Sequence, residues 1–169
     1  PGHLARSGVT RYYSCLAGNR SSRPMAFRWR APDGSEVLVC RETTWYNGDI
    51  SPGITRPMLD FCAATGLRCW MNVYGVGDHG GGPTRRDLER ALDMATWPLF
   101  PVLKLSTTRP FYEELERAAG KLPVVEGELN FEFDGCYTSQ SLIKRSVRFA
   151  ENQLCDAEAS AALAWAALG

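Results

Sequence analysis

Tyr74-Gly75-Val76-Gly77-Asp78-His79-Gly80-Gly81-Gly82-Pro83-Thr84 places five glycines around one acid and one of the two histidines in the chain. Glycine at this density loses backbone entropy on folding, so it signals positive φ angles or close approach to the backbone. Before it, residues 68–73 (Arg-Cys-Trp-Met-Asn-Val) form an apolar run that predicts a buried strand. After it, Thr84-Arg85-Arg86-Asp87 has the Ncap threonine and N3 acid of a capping box, which predicts a helix over residues 85–94 with Leu88, Ala91 and Leu92 on one side. A strand, glycine loop and helix in this order belong to α/β proteins, where ligands meet the carboxyl ends of strands.

The surrounding segments agree with that class. Residues 1–6 predict a helix end closed by Ser7-Gly8, and residues 9–16 a short strand. Phe27-Arg28-Trp29-Arg30 and residues 36–40 flank Ala31-Pro32-Asp33-Gly34-Ser35, a turn sequence, so they predict a hairpin. Residues 43–53 read as an irregular loop carrying Trp45, Tyr46, Asn47 and Asp49, and residues 56–65 as a helix stopped by Gly66. Residues 102–105 predict another buried strand, and residues 107–119 a helix with Pro110 in its first turn and Gly120 at its end. The expectation is an α/β class with a partial, largely parallel sheet and a hairpin. Residues 123–133 are extended, with Leu129, Phe131 and Phe133 alternating against polar neighbours. From about residue 141 to the end one long helix is expected, its stripe of Ile143, Val147, Ala150, Leu154, Ala157, Ala161, Ala164 and Leu168 suited to packing on other helices. The residues themselves give an α/β region up to residue 122 and, over 123–169, a linker strand and the first helix of a second domain.

Composition narrows the partners. The 169 residues are 44% hydrophobic and 22% charged, with a formal net charge of zero, which is globular and gives no general attraction to nucleic acid or membrane. The six cysteines form no Cys-x-x-Cys pair, so the expectation is reduced, mostly buried thiols in a cytoplasmic protein. Gly75-x-Gly77-x-x-Gly80 matches a dinucleotide fingerprint formally, but its helix starts only after Pro83 and no acid-ended strand follows. Gly77-x4-Gly82-Pro83-Thr84 mimics a phosphate loop with proline in place of lysine. A metal site from Asp78, His79 and His3 would need residues far apart in sequence.

The glycine loop and its Arg-Asp-Leu-Glu-Arg helix resemble the Gly-Asp-x-Gly-Gly-Gly-Pro-Thr loop of the α-mannosidases of glycoside hydrolase family 38. Phe27-Arg28-Trp29-Arg30-Ala31-Pro32-Asp33-Gly34-Ser35-Glu36-Val37-Leu38 resembles the hairpin before that loop, and Tyr46-Asn47-Gly48 the segment after the hairpin. Gly127-Glu128-Leu129-Asn130-Phe131-Glu132-Phe133, with Tyr137-Thr138-Ser139-Gln140 and Lys144-Arg145, resembles the entry to the family's middle three-helix domain. Val147 stands where that last pattern has asparagine.

The resemblance implies a retaining enzyme that hydrolyses terminal α-mannosides of glycans through paired carboxylates, with Zn2+ or another divalent ion gripping two sugar hydroxyls. It makes Asp78 the candidate acid/base, with a structural carboxylate inside the glycine loop as the equal alternative. His79, Tyr46, Asn47 and Tyr137 become candidates to line the sugar subsite. The family's nucleophile and metal ligands have no counterpart here, so no metal ligand is expected within this chain. The isolated polypeptide is expected to be an inactive interior slice of the enzyme. Two alternatives stay open: a phosphate- or nucleotide-binding module built on the glycine loop, and an assembly fragment that self-associates through its last helix.

Overall fold

A computed structural model describes residues 1–15, 23–77, 81–129 and 139–168. The element order is α1 (Gly2–Arg6), β1 (Arg11–Ser14), β2 (Ala26–Arg30), β3 (Glu36–Arg41), α2 (Thr55–Thr65), α3 (Arg85–Met94), α4 (Thr108–Arg117), β4 (Val124–Glu126) and α5 (Ser141–Leu168). The chain divides into two compact units, residues 1–129 and 130–169.

The hairpin is the centre of the first unit. Its turn is local chemistry: Ser35 N–H donates to Asp33 Oδ1 at 3.0 Å, Gly34 takes φ 84°, and Ala31 N–H reaches Ser35 O at 2.9 Å. β2 and β3 pair antiparallel from Arg30–Glu36 back to Ala26–Cys40. β1 adds parallel to β3, with Arg11 opposite Leu38, and β4 adds parallel to β2, with Arg28 opposite Val124. The four-stranded order β1-β3-β2-β4 is therefore mixed, with parallel pairings at both edges. The α/β expectation with a hairpin holds.

Side chains leave the sheet on alternate sides, and each side carries a core. Leu38, Cys40 and Ala26 pack with Phe61 of α2, Phe111, Tyr112 and Leu115 of α4, and Leu122. Phe27 and Val39 pack with Leu129, joined by Tyr12, Trp29 and Val125. Full burial of such a side chain contributes about 1.5–3 kcal/mol. Arg11 holds α4 to the sheet edge through a two-pronged pair with Glu116, at 2.7 and 2.9 Å. α2 ends as expected at Gly66, whose φ of 73° is the left-handed C-terminal stop.

Three expectations fail. Residues 68–73 form no strand: the segment is half-buried and carries a single bridge, Tyr74 with Gly48. Its apolar residues Cys69, Trp70 and Met71 pack side-on against the α2–α4 core, so the run encodes packing without a ladder. Residues 102–105 are not a strand either; Val102 is 82% and Leu105 50% exposed, and only Leu103 joins a core, with Ile50, Ala91 and Met94. On α3 the buried face is Asp87, Ala91 and Met94, while Leu88 and Leu92 are exposed. The capping box draws Asp87 inward, and Ile50 meets the i, i+4, i+7 face that follows from it.

The cysteines are less buried than expected. Among the described residues Cys40 is buried, Cys15, Cys62 and Cys69 are intermediate and Cys155 is exposed, all as free thiols. Cys136 lies outside the described residues. The second half of the extended run, residues 130–133, lies outside them as well.

In the second unit α5 runs 28 residues from Ser141 to Leu168, as its three-four apolar spacing predicts, with no residue buried. Ile143, Val147, Leu154 and Leu168 of the stripe are exposed. No described helix is long and apolar enough to cross a membrane.

Candidate functional site around the glycine loop

The glycines are explained by how tightly the loop folds on itself. Val76 N–H donates to Gly82 O at 2.9 Å, closing the loop. Gly75 has φ +124°, and a Cβ there would lie 2.7 Å from the Gly82 carbonyl carbon. At Gly81 (φ +130°) a Cβ would lie 2.4 Å from Val76 O, and at Gly77 one would lie 2.5 Å from Asn47 Cβ. Side chains fit none of these positions without displacement.

The loop ends in the expected capping box. Thr84 Oγ1 accepts from Asp87 N–H at 3.2 Å, and Asp87 Oδ2 accepts from Thr84 N–H at 2.9 Å and from its hydroxyl at 2.8 Å. These bonds, then the Arg86 and Arg90 charges, hold the Asp87 carboxyl below the usual carboxylate range. The cap thus engages the N–H groups of Thr84 and Asp87 with side chains of the helix start itself.

The segment that faces the loop is positioned by a buried acid. Glu42, just past the end of β3, is 3% exposed. Its Oε1 accepts from the N–H groups of Thr43 and Thr44 at 2.8 and 2.9 Å and from Thr44 Oγ1 at 3.1 Å. The Tyr13 hydroxyl at the end of β1 donates to its Oε2. Burial first, and that bond second, push the Tyr13 hydroxyl well above its ordinary pKa. Trp70 Nε1 donates to Thr43 Oγ1 at 3.2 Å. Further on, Gly48 bonds Val73 O at 3.1 Å, and Arg90 of α3 donates to Ile50 O at 3.1 Å. Sequence reasoning did not single out Glu42. The signal was present, as an acid one residue beyond the apolar run of β3 and its Arg41, at the carboxyl end of two parallel strands.

Between this segment and the glycine loop lies an open cavity of about 210 Å³, lined by Asn47, Gly48, Asp49, Gly75, Val76, Gly77, Arg86 and Asp87. Of the residues expected at the site, Asn47 lines it. Tyr46 does not; its ring packs on Trp45 with centroids 5.1 Å apart, and its backbone is hydrogen-bonded to Cys15. Asp78, His79 and Tyr137 lie outside the described residues. His3 lies on α1, where Arg6 Nη2 donates to its Nδ1 at 3.3 Å. Asp49, Arg86 and Asp87 are wall residues that the sequence did not mark as functional. Among the described residues no group of three or more His, Cys, Asp or Glu side chains could hold a metal ion. The zinc that the resemblance implies therefore finds no fitting donor set among them.

The chain is 34% identical over 140 residues to α-mannosidase G of Dictyostelium discoideum, covering 78% of this chain and 12% of that protein. It is 32% identical over 144 residues to the α-mannosidase of Saccharomyces cerevisiae, covering 78% and 13%. With human α-mannosidase 2C1 it shares 36% over 147 residues, 83% of this chain and 14% of that one. The chain is homologous to the α-mannosidases.

A match over 78% of the chain must include its middle, so the α-mannosidase similarity contains the glycine loop and the cavity wall. This α-mannosidase-related segment spans only about an eighth of the length of the relatives it matches, 12% and 13% for the first two. No protein-family model matches it.

Proposed function

We propose that the chain is part of a retaining α-mannosidase of glycoside hydrolase family 38 that hydrolyses terminal α-mannosides of glycans. The observation that carries this reading is the similarity to α-mannosidases across the glycine loop. The polar cavity beside the loop supports it, because sugar rings are recognised through hydroxyls by neutral amide and charged groups together. In this reading residues 1–122 belong to the catalytic α/β domain and residues 123–169 open a helical domain. Asp78 is the acid/base candidate, and Asn47 and His79 contact the sugar. Zinc or another divalent ion is held by residues outside this chain, and when bound it supplies a grip on the hydroxyls of the sugar being cleaved. The free thiols fit a cytoplasmic setting, and the exposed stripe of α5 is the surface through which the isolated chain would self-associate.

The test has two arms. The 169-residue chain with added zinc or cobalt should not turn over an aryl α-mannoside, whereas the full-length protein should, releasing the α-anomer first by proton NMR. Asp78→Asn in the full-length protein should depress turnover on poor leaving groups more than on activated ones. Steady Asp78-dependent turnover by the isolated chain, or β-anomer as the first product of the full-length protein, would overturn the reading. The phosphate alternative draws no support, since the N-terminus of α3 is capped by its own side chains.

A further inference from the structure

Glu42 sits where two parallel strands end. β1 and β3 stop together at Ser14 and Arg41, and the next amide, Glu42 N–H, still reaches Ser14 O at 2.7 Å. Its side chain then serves the residues that follow: Oε1 accepts from the N–H groups of Thr43 and Thr44 and from the Thr44 hydroxyl, all within 3.1 Å. The Tyr13 hydroxyl closes on Oε2. A neutral asparagine or serine side chain could hold such a turn. A carboxylate left only 3% exposed carries a desolvation cost that the turn alone does not require. What it adds is charge-assisted bonds, about twice as strong as neutral ones.

This stiff start is the first of several ties along the segment. Trp70 Nε1 donates to Thr43 Oγ1 at 3.2 Å, and the Tyr46 backbone is bonded to Cys15. Gly48 donates to Val73 O at 3.1 Å and accepts from Gly75 N–H at 3.3 Å. Arg90 Nη1 donates to Ile50 O at 3.1 Å. Asn47 lies among these ties and presses on the glycine loop, since a Cβ at Gly77 would meet its Cβ, Cγ and Nδ2 within 3.1 Å. The place of Asn47 is thus set by bonds that begin at Glu42.

We infer that Glu42 is a positioning residue of the sugar site, acting through Thr43 and Thr44 to fix the segment that holds Asn47 against the glycine loop. This rests on the mannosidase reading above, in which Asn47 contacts the sugar. Glu42 itself is buried, with both oxygens bonded inside the protein.

The test is a double-mutant cycle on kcat/KM for an aryl α-mannoside in the full-length protein. Glu42→Ala should lower it roughly tenfold or more, since a misplacement of about 1 Å can cost about a hundredfold. The loss should divide between KM and kcat as it does in Asn47→Ala. The double variant should be no worse than the poorer single one, because both changes remove the same contact. Glu42→Gln, which keeps an acceptor for the Thr43 and Thr44 amides, should recover to within about threefold of wild type. A merely structural Glu42 would lower kcat alone through loss of folded protein, and its effect would multiply with that of Asn47→Ala. Either result overturns the inference, as does full activity in Glu42→Ala or a Gln variant no better than the Ala one. Where Glu42→Ala does not fold, Glu42→Asp, whose carboxylate falls one methylene short of the two amides, replaces it under the same criteria. If the wild-type protein turns over no α-mannoside, the mannosidase reading fails, and hydrogen exchange decides Glu42 separately. Amides of residues 43–50 exchanging roughly tenfold faster in Glu42→Ala, with those of β2 unchanged, support the positioning role; unchanged exchange overturns it.

Discussion

Gly77→Ala is the sharpest probe of why the loop is built from glycine. The new Cβ would sit 2.5 Å from Asn47 Cβ, 3.0 Å from its Nδ2 and 3.1 Å from its Cγ. Carbon atoms in ordinary contact are about 3.5–4.0 Å apart, so Asn47 or the loop must move by about 1 Å. Gly77 does not hold a positive φ, so torsional strain adds nothing and the whole cost comes from that contact. Overpacking of this kind costs about 1–3 kcal/mol. Asn47→Gly removes the opposing Cβ and by itself costs about 0.5–1 kcal/mol in backbone entropy. Combining the two should recover about 1 kcal/mol or more relative to the sum of the single changes. Urea unfolding of the four proteins measures this directly. For a unit of this size each kcal/mol also moves the melting temperature by roughly 3–5 °C. Strict additivity would refute the account, because it would mean that Asn47 is not what excludes a side chain at position 77.

Removing the cap hydroxyl by Thr84→Ala should destabilise the first unit by about 1 kcal/mol in the same unfolding assay; an unchanged midpoint would show that Asp87 holds the helix start alone. Phe61→Ala should cost about 3–5 kcal/mol, since Phe61 is 0% exposed and packs on Phe111 with ring centroids 6.0 Å apart. Acid should weaken the fold in a defined direction. Glu36 is held below its usual range by hydrogen bonding to Arg30, Glu116 by its bond to Arg11 and Asp87 by Thr84. A depressed folded-state value means stability present above the unfolded value and lost as pH falls through the folded one. The melting temperature should therefore hold from neutrality to about pH 5 and drop below about pH 4; a rise on acidification would contradict these pairings.

Local chemistry made much of this fold legible. The Asp33-Gly34 turn specifies the hairpin whichever strands join it later, and Thr84, Asp87 and Gly66 mark helix ends through bonds within a few residues. What failed was non-local. An apolar run such as residues 68–73 looks the same whether its backbone is laddered or its side chains merely lean on a neighbouring core. Strand order was equally hidden, because nothing near β4 says that it pairs with β2. At the site, the glycines announced a close approach without saying to what, and Asn47 was found through a resemblance. Asp49, Arg86 and Glu42 were passed over because charged residues are usually solvated, and only the fold reveals which of them face a cavity or lie under a loop.

The two edges of the sheet have different histories during synthesis. β1, β2 and β3 all lie within residues 11–41, so the hairpin and its parallel edge can form as soon as Arg41 has left the ribosome. The opposite edge must wait until Val124 emerges to meet Arg28. Hairpins close in microseconds, whereas residues are added at about 5–20 per second. For several seconds the nascent chain therefore carries β2 with an open edge and Phe27 without the Leu129 that covers it. Arg28 and Arg30, paired with Glu36 across the hairpin, put charged groups along that strand, and charged side chains on an open edge disfavour edge-to-edge pairing.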